Sequence, residues 1–564
     1  MDALNRGRNS LIAASALILF AIFYYSLIYR FGLNLAEEGN VALISQRLMH
    51  GERPFRDISP GYNVLWFYPI STLFRVFGTQ LLLMRAYFYA ISASSGLLAF
   101  FLLRRLDAPL WLAFAQGLLV ISINGQYFKT YVPFLVLSNL FAITLFLTSQ
   151  RKLLVSLGAG VLLGSTYLIR IDIGLSFTLI WFGVVFLHAL YLDRRFRLNL
   201  FIAGNLLLGI GAMHLPFLYD AHHRHFMPQF LNQYPKVASL ALMPFQPDPT
   251  PKMAPSQEQP ALLPSPSPPI TGNENSLGMV EKPQTLFHRS AFQEIFSKSS
   301  TVEKRLLAFL TYVPPLLICA LFLTGLYLLA TKRLQVDRWL LFSAFLAGSL
   351  AVFPQFFVFR PDLLHLIGFM NGGLVALTCA GWLLWSSQGK GWLSTTFFAA
   401  IGLIALCYLS LTIRNQDGGT LAIRKNRDTN FRGANGVDVF LNKAEFEEIN
   451  SLFLTTILNS TKKDYIVCYP YLPGVNFITG RPTFQNSHDL ESMTDAQDWE
   501  KIEIANISKF RPAVIIIDDQ AVNGREDSRF SHWAAQLTKF IETRYRPVAS
   551  VNSKRAFALL TPGI

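Results

Sequence analysis

Residues 34–78 read NLAEEGNVALISQRLMHGERPFRDISPGYNVLWFYPISTLFRVFG. Whether the apolar part, residues 62–77, crosses a membrane sets the side on which every later loop falls. Pro60, Pro69 and Arg75 interrupt it, and prolines and a charge make a poor spanning helix. The pattern predicts a juxtamembrane element lying in the interface instead. The same stretch crowds Glu37, Glu38, Arg47, Arg53, Arg56, Asp57 and Arg75 beside the first long apolar run.

The rest of the chain is apolar enough to make that question matter. Its 564 residues are 52% hydrophobic, 14% aromatic and only 15% charged, with a mean hydropathy of +0.35. Soluble domains carry about a quarter charged residues. Apolar runs near 11–29, 82–103, 110–123, 133–148, 153–169, 173–191, 198–216, 308–330, 339–358, 364–386 and 392–412 predict about eleven spans, each about as long as a hydrocarbon core is thick. The first run has no small-residue cleavage pattern after it, so it reads as a retained span.

With residues 62–77 out of the count, the basic loops fall into register. Arg6/Arg8, Arg104/Arg105, Arg151/Lys152, Arg194/Arg195/Arg197, Lys332/Arg333/Arg338 and Lys390 all share the side of the N-terminus. The positive-inside bias makes that side cytoplasmic. The net charge of +14 is thus spent in short loop clusters, which argues against a nucleic-acid groove. Cys319, Cys379 and Cys407 lie in apolar runs and Cys468 stands apart, so neither a disulfide framework nor a CxxC metal site is expected.

Three regions then face outward: the charged loop 30–81, a Pro-rich loop 217–307, and a tail. The expected organisation is a membrane domain over 1–412, a polar linker over 413–437 and an α/β domain over 438–564. In that tail the strand-like YIVCYP, AVIIIDD and FALLTP alternate with helical stretches, as small α/β domains do. No GxGxxG or GxxxxGK[ST] is present, so nucleotide chemistry has no motif to rest on.

Loop 30–81 breaks the positive-inside rule. For any one arginine a solvated loop is the plain reading. As a group, guanidinium ions at the headgroup level suit a lipid phosphate or pyrophosphate, which they bind in two-pronged fashion. Glu37 and Glu38 stand at the start of an amphipathic helix, where negative charge is favoured by the dipole. A carboxylate there is also a candidate general base, taking a proton from a nucleophile while arginines hold a departing phosphate. Adjacent helical residues point in different directions, so the two should have unequal roles.

Other ionisable groups lie at outer membrane edges: Arg170 and Asp172 in LIRIDIG, and Arg360, Asp362 and His365 in VFRPDLLHLIG. Such groups are either structural pairs or functional. Arg170 and Arg360 are candidate phosphate ligands alongside Arg53 and Arg56; Asp57, Asp172, Asp362 and His365 are candidate substrate contacts. His214, His222, His223 and His225 lack zinc-ligand spacing and read as interfacial histidines. Asp518-Asp519 reads as strand-end polarity.

The stretch LAEEGNVALISQRLMHGERPFRDISPGYNVLWFYPISTLFRVFGTQLLLMRAY resembles the first outer loop of GT-C membrane glycosyltransferases. It is most similar to bacterial relatives of protein O-mannosyltransferases and lipid A aminoarabinose transferases. The matching residues are Glu37-Glu38-Gly39, Gly51, Pro54-Phe55-Arg56-Asp57, Pro60, Phe77-Gly78 and Arg85. The resemblance implies a polytopic α-helical enzyme with a small extracytoplasmic α/β domain. Such an enzyme transfers a sugar from a polyprenyl-phosphate donor to a lipid, glycan or protein acceptor, usually with inversion. It also implies a bacterial inner (plasma) membrane, with the N-terminus cytoplasmic and the tail periplasmic. The catalytic base carried over is Glu37, where relatives usually have Asp, with Glu38 as the alternative. Relatives often carry a further acidic residue in the second outer loop. Here INGQYFKTYVPF has only Lys129, so no metal cofactor is expected. The competing readings are a transporter or lipid flippase, and a non-catalytic scaffold of envelope assembly. A transporter would show internal repeats and midplane charges, whereas the charges here gather at one interface.

Overall fold

In the computed structural model, residues 2–60, 64–123, 127–193, 195–231, 233–234, 302–351, 363–388, 392–414, 420–487, 498–521 and 529–560 are described. Eight described helices are long and apolar enough to cross a membrane. They include α1 (Asp2–Ser26), α4 (Leu81–Arg105), α6 (Tyr131–Thr148), α7 (Lys152–Ile169), α8 (Ile171–Tyr191) and α9 (Phe196–His223), with Val302–Ala330 and Trp392–Arg414 completing the set. The other three apolar runs correspond to α5 (Leu110–Ser122) and to helices Val336–Leu350 and Leu363–Gln388, which are not among those eight.

Side chains too small to keep backbones apart set the tightest packing. A Cβ on Gly160 of α7 would come within 2.5 Å of the Leu206 carbonyl of α9, and one on Gly209 would meet Gly160 at the same distance. With lipid on the outside and no hydrophobic drive between spans, such close approach is what holds helices together.

The basic loops gather at one end of the bundle. Arg104 Nε donates to Ser10 Oγ near the start of α1, Arg105 donates to Thr148 Oγ1, and Trp382 Nε1 donates to the Leu106 carbonyl. The charged first loop occupies the opposite end. There α2 (Glu37–Met49) and α3 (Tyr68–Phe77) pack against each other, and Glu38 of α2 meets Arg85 near the start of α4. Within α3, Ile70 and Phe74 are buried while Val76 and Phe77 at its C-terminal end are exposed.

The tail folds as a four-stranded sheet of order β3-β4-β6-β5 beside a β1-β2 hairpin. Its strands are β1 (Thr429–Arg432), β2 (Asp438–Leu441), β3 (Ile466–Tyr469), β4 (Val514–Asp518), β5 (Tyr545–Val551) and β6 (Lys554–Leu559). β3 runs parallel to β4, and β6 is antiparallel to both β4 and β5. The parallel pair, edge strand β3 and its neighbour β4, is buried on both faces. Ile466, Cys468, Val514 and Ile516 face a core shared with the membrane domain, whereas Val467, Tyr469, Ile515 and Ile517 face the tail's own helices. β1 forms inside the stretch expected to be linker, because pairing with β2 satisfies its backbone. β5 was missed as well: Arg546, Pro547 and Ser550 hide its alternation.

Tail and first loop are joined backbone to backbone. Gly32 N–H donates to the Phe440 carbonyl and Phe440 N–H to the Arg30 carbonyl, extending β2 onto the end of the first span. Arg30 and Asp438 pair at 2.7 Å. Gly474 N–H donates to the Leu35 carbonyl, and a Cβ on Gly39 would lie 2.3 Å from Gly474 Cα. Both glycines are needed for that contact.

Candidate active site at the head of helix α2

The start of α2 is fixed by Asn34, whose Oδ1 accepts the backbone N–H groups of Ala36 and Glu37 at 3.0 and 2.9 Å. Two of the free donors at the helix end are thereby used. Glu37 and Glu38 then leave the first turn in different directions and meet different surroundings.

Glu38 is fully buried against Arg85, itself 1% exposed at the head of α4. Arg85 Nε reaches Glu38 Oε1 at 2.7 Å and Nη2 reaches Oε2 at 2.8 Å. The same guanidinium donates to the carbonyls of Tyr29 and Gly32 at 2.8 and 2.7 Å and lies over the Tyr127 ring. Tyr127 also hydrogen-bonds Glu38. A charge-assisted, two-pronged pair with its remaining donors satisfied is the arrangement that survives burial. It leaves no oxygen of Glu38 turned to a substrate.

Glu37 sits at the rim, 19% exposed, with Oε1 3.5 Å from Nζ of Lys129, which is 6% exposed. Lys129 belongs to a short 3-10 turn, Tyr127–Lys129, ahead of α6. Two residues on, Tyr131 Oη accepts from Arg170 Nη1 at 3.3 Å. One stretch of five residues thus touches Glu38, Glu37 and Arg170 in turn.

Arg170 bridges α7 and α8. Its Nε and Nη2 grip both oxygens of Asp172 at 2.8 and 3.2 Å. Arg53 and Asp57 share the turn after α2: the Arg53 N–H donates to Asp57 Oδ2 at 2.9 Å, while Arg53 Nε lies 4.0 Å from Asp220 Oδ2 at the end of α9. Burial raises the Tyr68 hydroxyl above its ordinary range, against the pull of Arg53 and with the push of Asp220, so these three share a neighbourhood. Between the Arg53 and Arg170 regions lies an apolar cluster of Val64, Leu168, Ala221, Phe226 and Phe230. Arg56 is half exposed beside Asp57, and its carbonyl accepts from Asn486 of the tail. A cavity of about 380 Å³ opens between residues 33–36 and the tail, where Glu448, Asp518 and Lys554 form its polar wall.

The structure links Glu37, Glu38 and Arg170 through the stretch 127–131, with Asp172 on Arg170; Arg53 and Asp57 share a separate turn facing Asp220, and Arg56 is half exposed beside Asp57. Arg360 and Asp362 lie outside the described residues. His365 falls in the first turn of Leu363–Gln388, with its side chain outside them. Sequence reasoning passed over Tyr127 and Tyr131, and noted Lys129 only as a lone charge. Polar residues at the head of an apolar run were the available signal. Asp518 pairs with Lys554 and Ser553, and Asp519 accepts from Ser531, which ties both to the sheet end.

No family model matches the chain, and no curated protein does. Among solved structures the chain is similar to the archaeal oligosaccharyltransferase AglB from Archaeoglobus fulgidus in complex with an inhibitory peptide and a dolichol-phosphate. That likeness has 12% identity and a TM-score of 0.48, over 99% of this chain and 74% of that one. A second similar structure is an Archaeoglobus fulgidus oligosaccharyltransferase in complex with Zn and sulfate, at 13% identity and a TM-score of 0.48 over 98% and 73% of the two chains. Both are membrane glycosyltransferases, the broad class that the first-loop pattern resembles. At that level of likeness they carry no argument about this chain's activity, which is read from its own residues.

Proposed function

We propose that this chain is a GT-C-type membrane glycosyltransferase. It moves a sugar from a polyprenyl-phosphate donor to a lipid, glycan or protein acceptor, with inversion, on the extracytoplasmic face of a bacterial plasma membrane. The observation that carries the reading is the division of labour in the acidic pair. Glu38 is spent on a buried ion pair with Arg85, while Glu37 stands at the rim beside Lys129.

Glu37 is then the base, and Glu38 gives up the alternative role and holds the helix. Arg170 is the foremost phosphate ligand, aimed by Asp172 and Tyr131. Arg53 is the second, with Asp57 fixing its turn, and the apolar cluster between the two arginines receives the first isoprene units. Arg360, Asp362 and His365 keep their proposed roles in binding donor phosphate and sugar. The chemistry asked of the protein is modest: hold donor and acceptor in line, accept one proton, and place positive charge where the leaving phosphate gains negative charge. The cavity beside residues 33–36 gives the acceptor its approach. Segregation of the basic loops at the opposite end supports a cytoplasmic N-terminus.

Mass spectrometry of envelope glycolipids and glycoproteins tests the reading. Cells lacking the gene, or carrying only Glu37→Gln, are expected to lose the same sugar from the same acceptor. A scaffold or transporter would be served equally well by the Glu37→Gln protein, and full retention of every glycan would refute the enzyme.

A further inference from the structure

A solved structure similar to this chain holds zinc, which raises the question of whether the head of α2 suits a divalent cation. Such ions take several oxygen ligands, or nitrogen and sulfur ones for zinc. Both oxygens of Glu38 are bound by Arg85. Facing Glu37 across 3.5 Å is the ammonium of Lys129, which donates hydrogen bonds and has no lone pair to give. Among the described residues no three His, Cys, Asp or Glu side chains come together. This donor set does not fit a metal at Glu37.

We propose that Lys129 is the built-in cation of the site, a positioning residue that holds Glu37 and balances its charge where a divalent ion would otherwise stand. The proposal rests on the reading of Glu37 as base. In the transfer, the acceptor hydroxyl gives its proton to Glu37 while its oxygen bonds the anomeric carbon. The bond from that carbon to the phosphate oxygen breaks, and its electron pair leaves with the polyprenyl phosphate, which gains one negative charge. No metal, oxidant or reductant takes part. Without the ammonium, Glu37 would lose this positive neighbour beside the donor phosphate, which carries one negative charge on arrival and two on leaving, and charges that close repel strongly away from bulk water.

Two probes test it on the full chain in nanodiscs. The first is Mn²⁺, followed by electron paramagnetic resonance. The wild type is expected to show no stoichiometric site, and Lys129→Glu, which sets two carboxylates face to face, is expected to gain one that is lost again when Glu37→Gln is added. A wild-type Mn²⁺ site abolished by Glu37→Gln overturns the proposal. So does a Lys129→Glu protein of unchanged elution and melting that gains no site. The second probe is undecaprenyl phosphate. Wild type is expected to bind it equally with and without EDTA, Lys129→Met about tenfold more weakly, and Lys129→Met/Glu37→Gln about as well as wild type. Equal binding by wild type and Lys129→Met, or no recovery in the double variant, overturns the charge-balancing role. If no form binds undecaprenyl phosphate, the polyprenyl-phosphate reading falls, and the Mn²⁺ titration still decides what Lys129 replaces.

Discussion

Arg85 grips both carboxylate oxygens of Glu38, at 2.7 and 2.8 Å, in a pair that water does not reach. Removing one partner strands a buried charge, at about 3–5 kcal/mol. Arg85→Met and Glu38→Gln are each expected to lower the unfolding free energy of the detergent-solubilised protein by that order, seen as a clear drop in its unfolding temperature. Glu37→Gln, whose longer 3.5 Å contact with Lys129 lies at the partly exposed rim, is expected to lower it less. The double variant Arg85→Met/Glu38→Gln should be more stable than Arg85→Met alone, since no lone carboxylate remains.

Activity is expected to follow the opposite order. Glu37→Gln keeps the fold and removes the proton acceptor, so transfer of a labelled sugar in reconstituted membranes should fall by roughly 10²–10⁴-fold. Wild-type rates from a folded Glu37→Gln protein would dismiss this residue as the base.

The contact between Gly39 and Gly474 predicts a coupling of tail to helix. Gly39→Ala drives a methyl group into Gly474 Cα, an overpacking worth about 1–3 kcal/mol. The tail should become more sensitive to limited proteolysis, and transfer should weaken although every side chain of the site is intact. A Gly39→Ala protein as protease-resistant as wild type would show that the two backbones have room to spare.

A buried carboxyl in the tail gives a pH signature. Burial raises Glu503 above the ordinary glutamate range, against hydrogen bonds from Tyr469 at 2.8 Å and from Asn506 that favour its ionised form. The folded state therefore holds this proton more tightly than the unfolded chain. Its contribution to stability is complete at pH below the ordinary glutamate range and disappears as pH rises through the raised folded value. Glu503→Gln is expected to raise the melting temperature of the tail at neutral pH and to leave it unaltered in acid. Scanning both proteins across that range by circular dichroism or calorimetry reads the difference.

Much of this architecture was legible because bilayer thickness imposes its period on the sequence. Among the described residues the apolar runs coincide with helices, and within 64–77 the structure shows a short 3-10 turn and α3 rather than one long span. YIVCYP and AVIIIDD became strands because a doubly buried strand is a short continuous apolar run. What escaped were contacts between distant segments. Nothing near Glu38 in sequence says that Arg85 will meet it, and nothing in INGQYFKTYVPF says that its lysine will face Glu37. Such pairings depend on which helix heads end up adjacent. β1 escaped for a similar reason, since TNFR becomes a strand only once DVFL lies beside it.

The ribosome makes residues 34–49 long before it makes the tail that seats them: Arg47 Nη1 waits for the Gln485 carbonyl, 438 positions downstream. A nascent chain with its spans inserted already has Glu38 of α2 on Arg85, but lacks the tail's hold on Arg47. The seating of α2 is thus finished only by a segment synthesised hundreds of residues after it, so its final support arrives after translation of the tail.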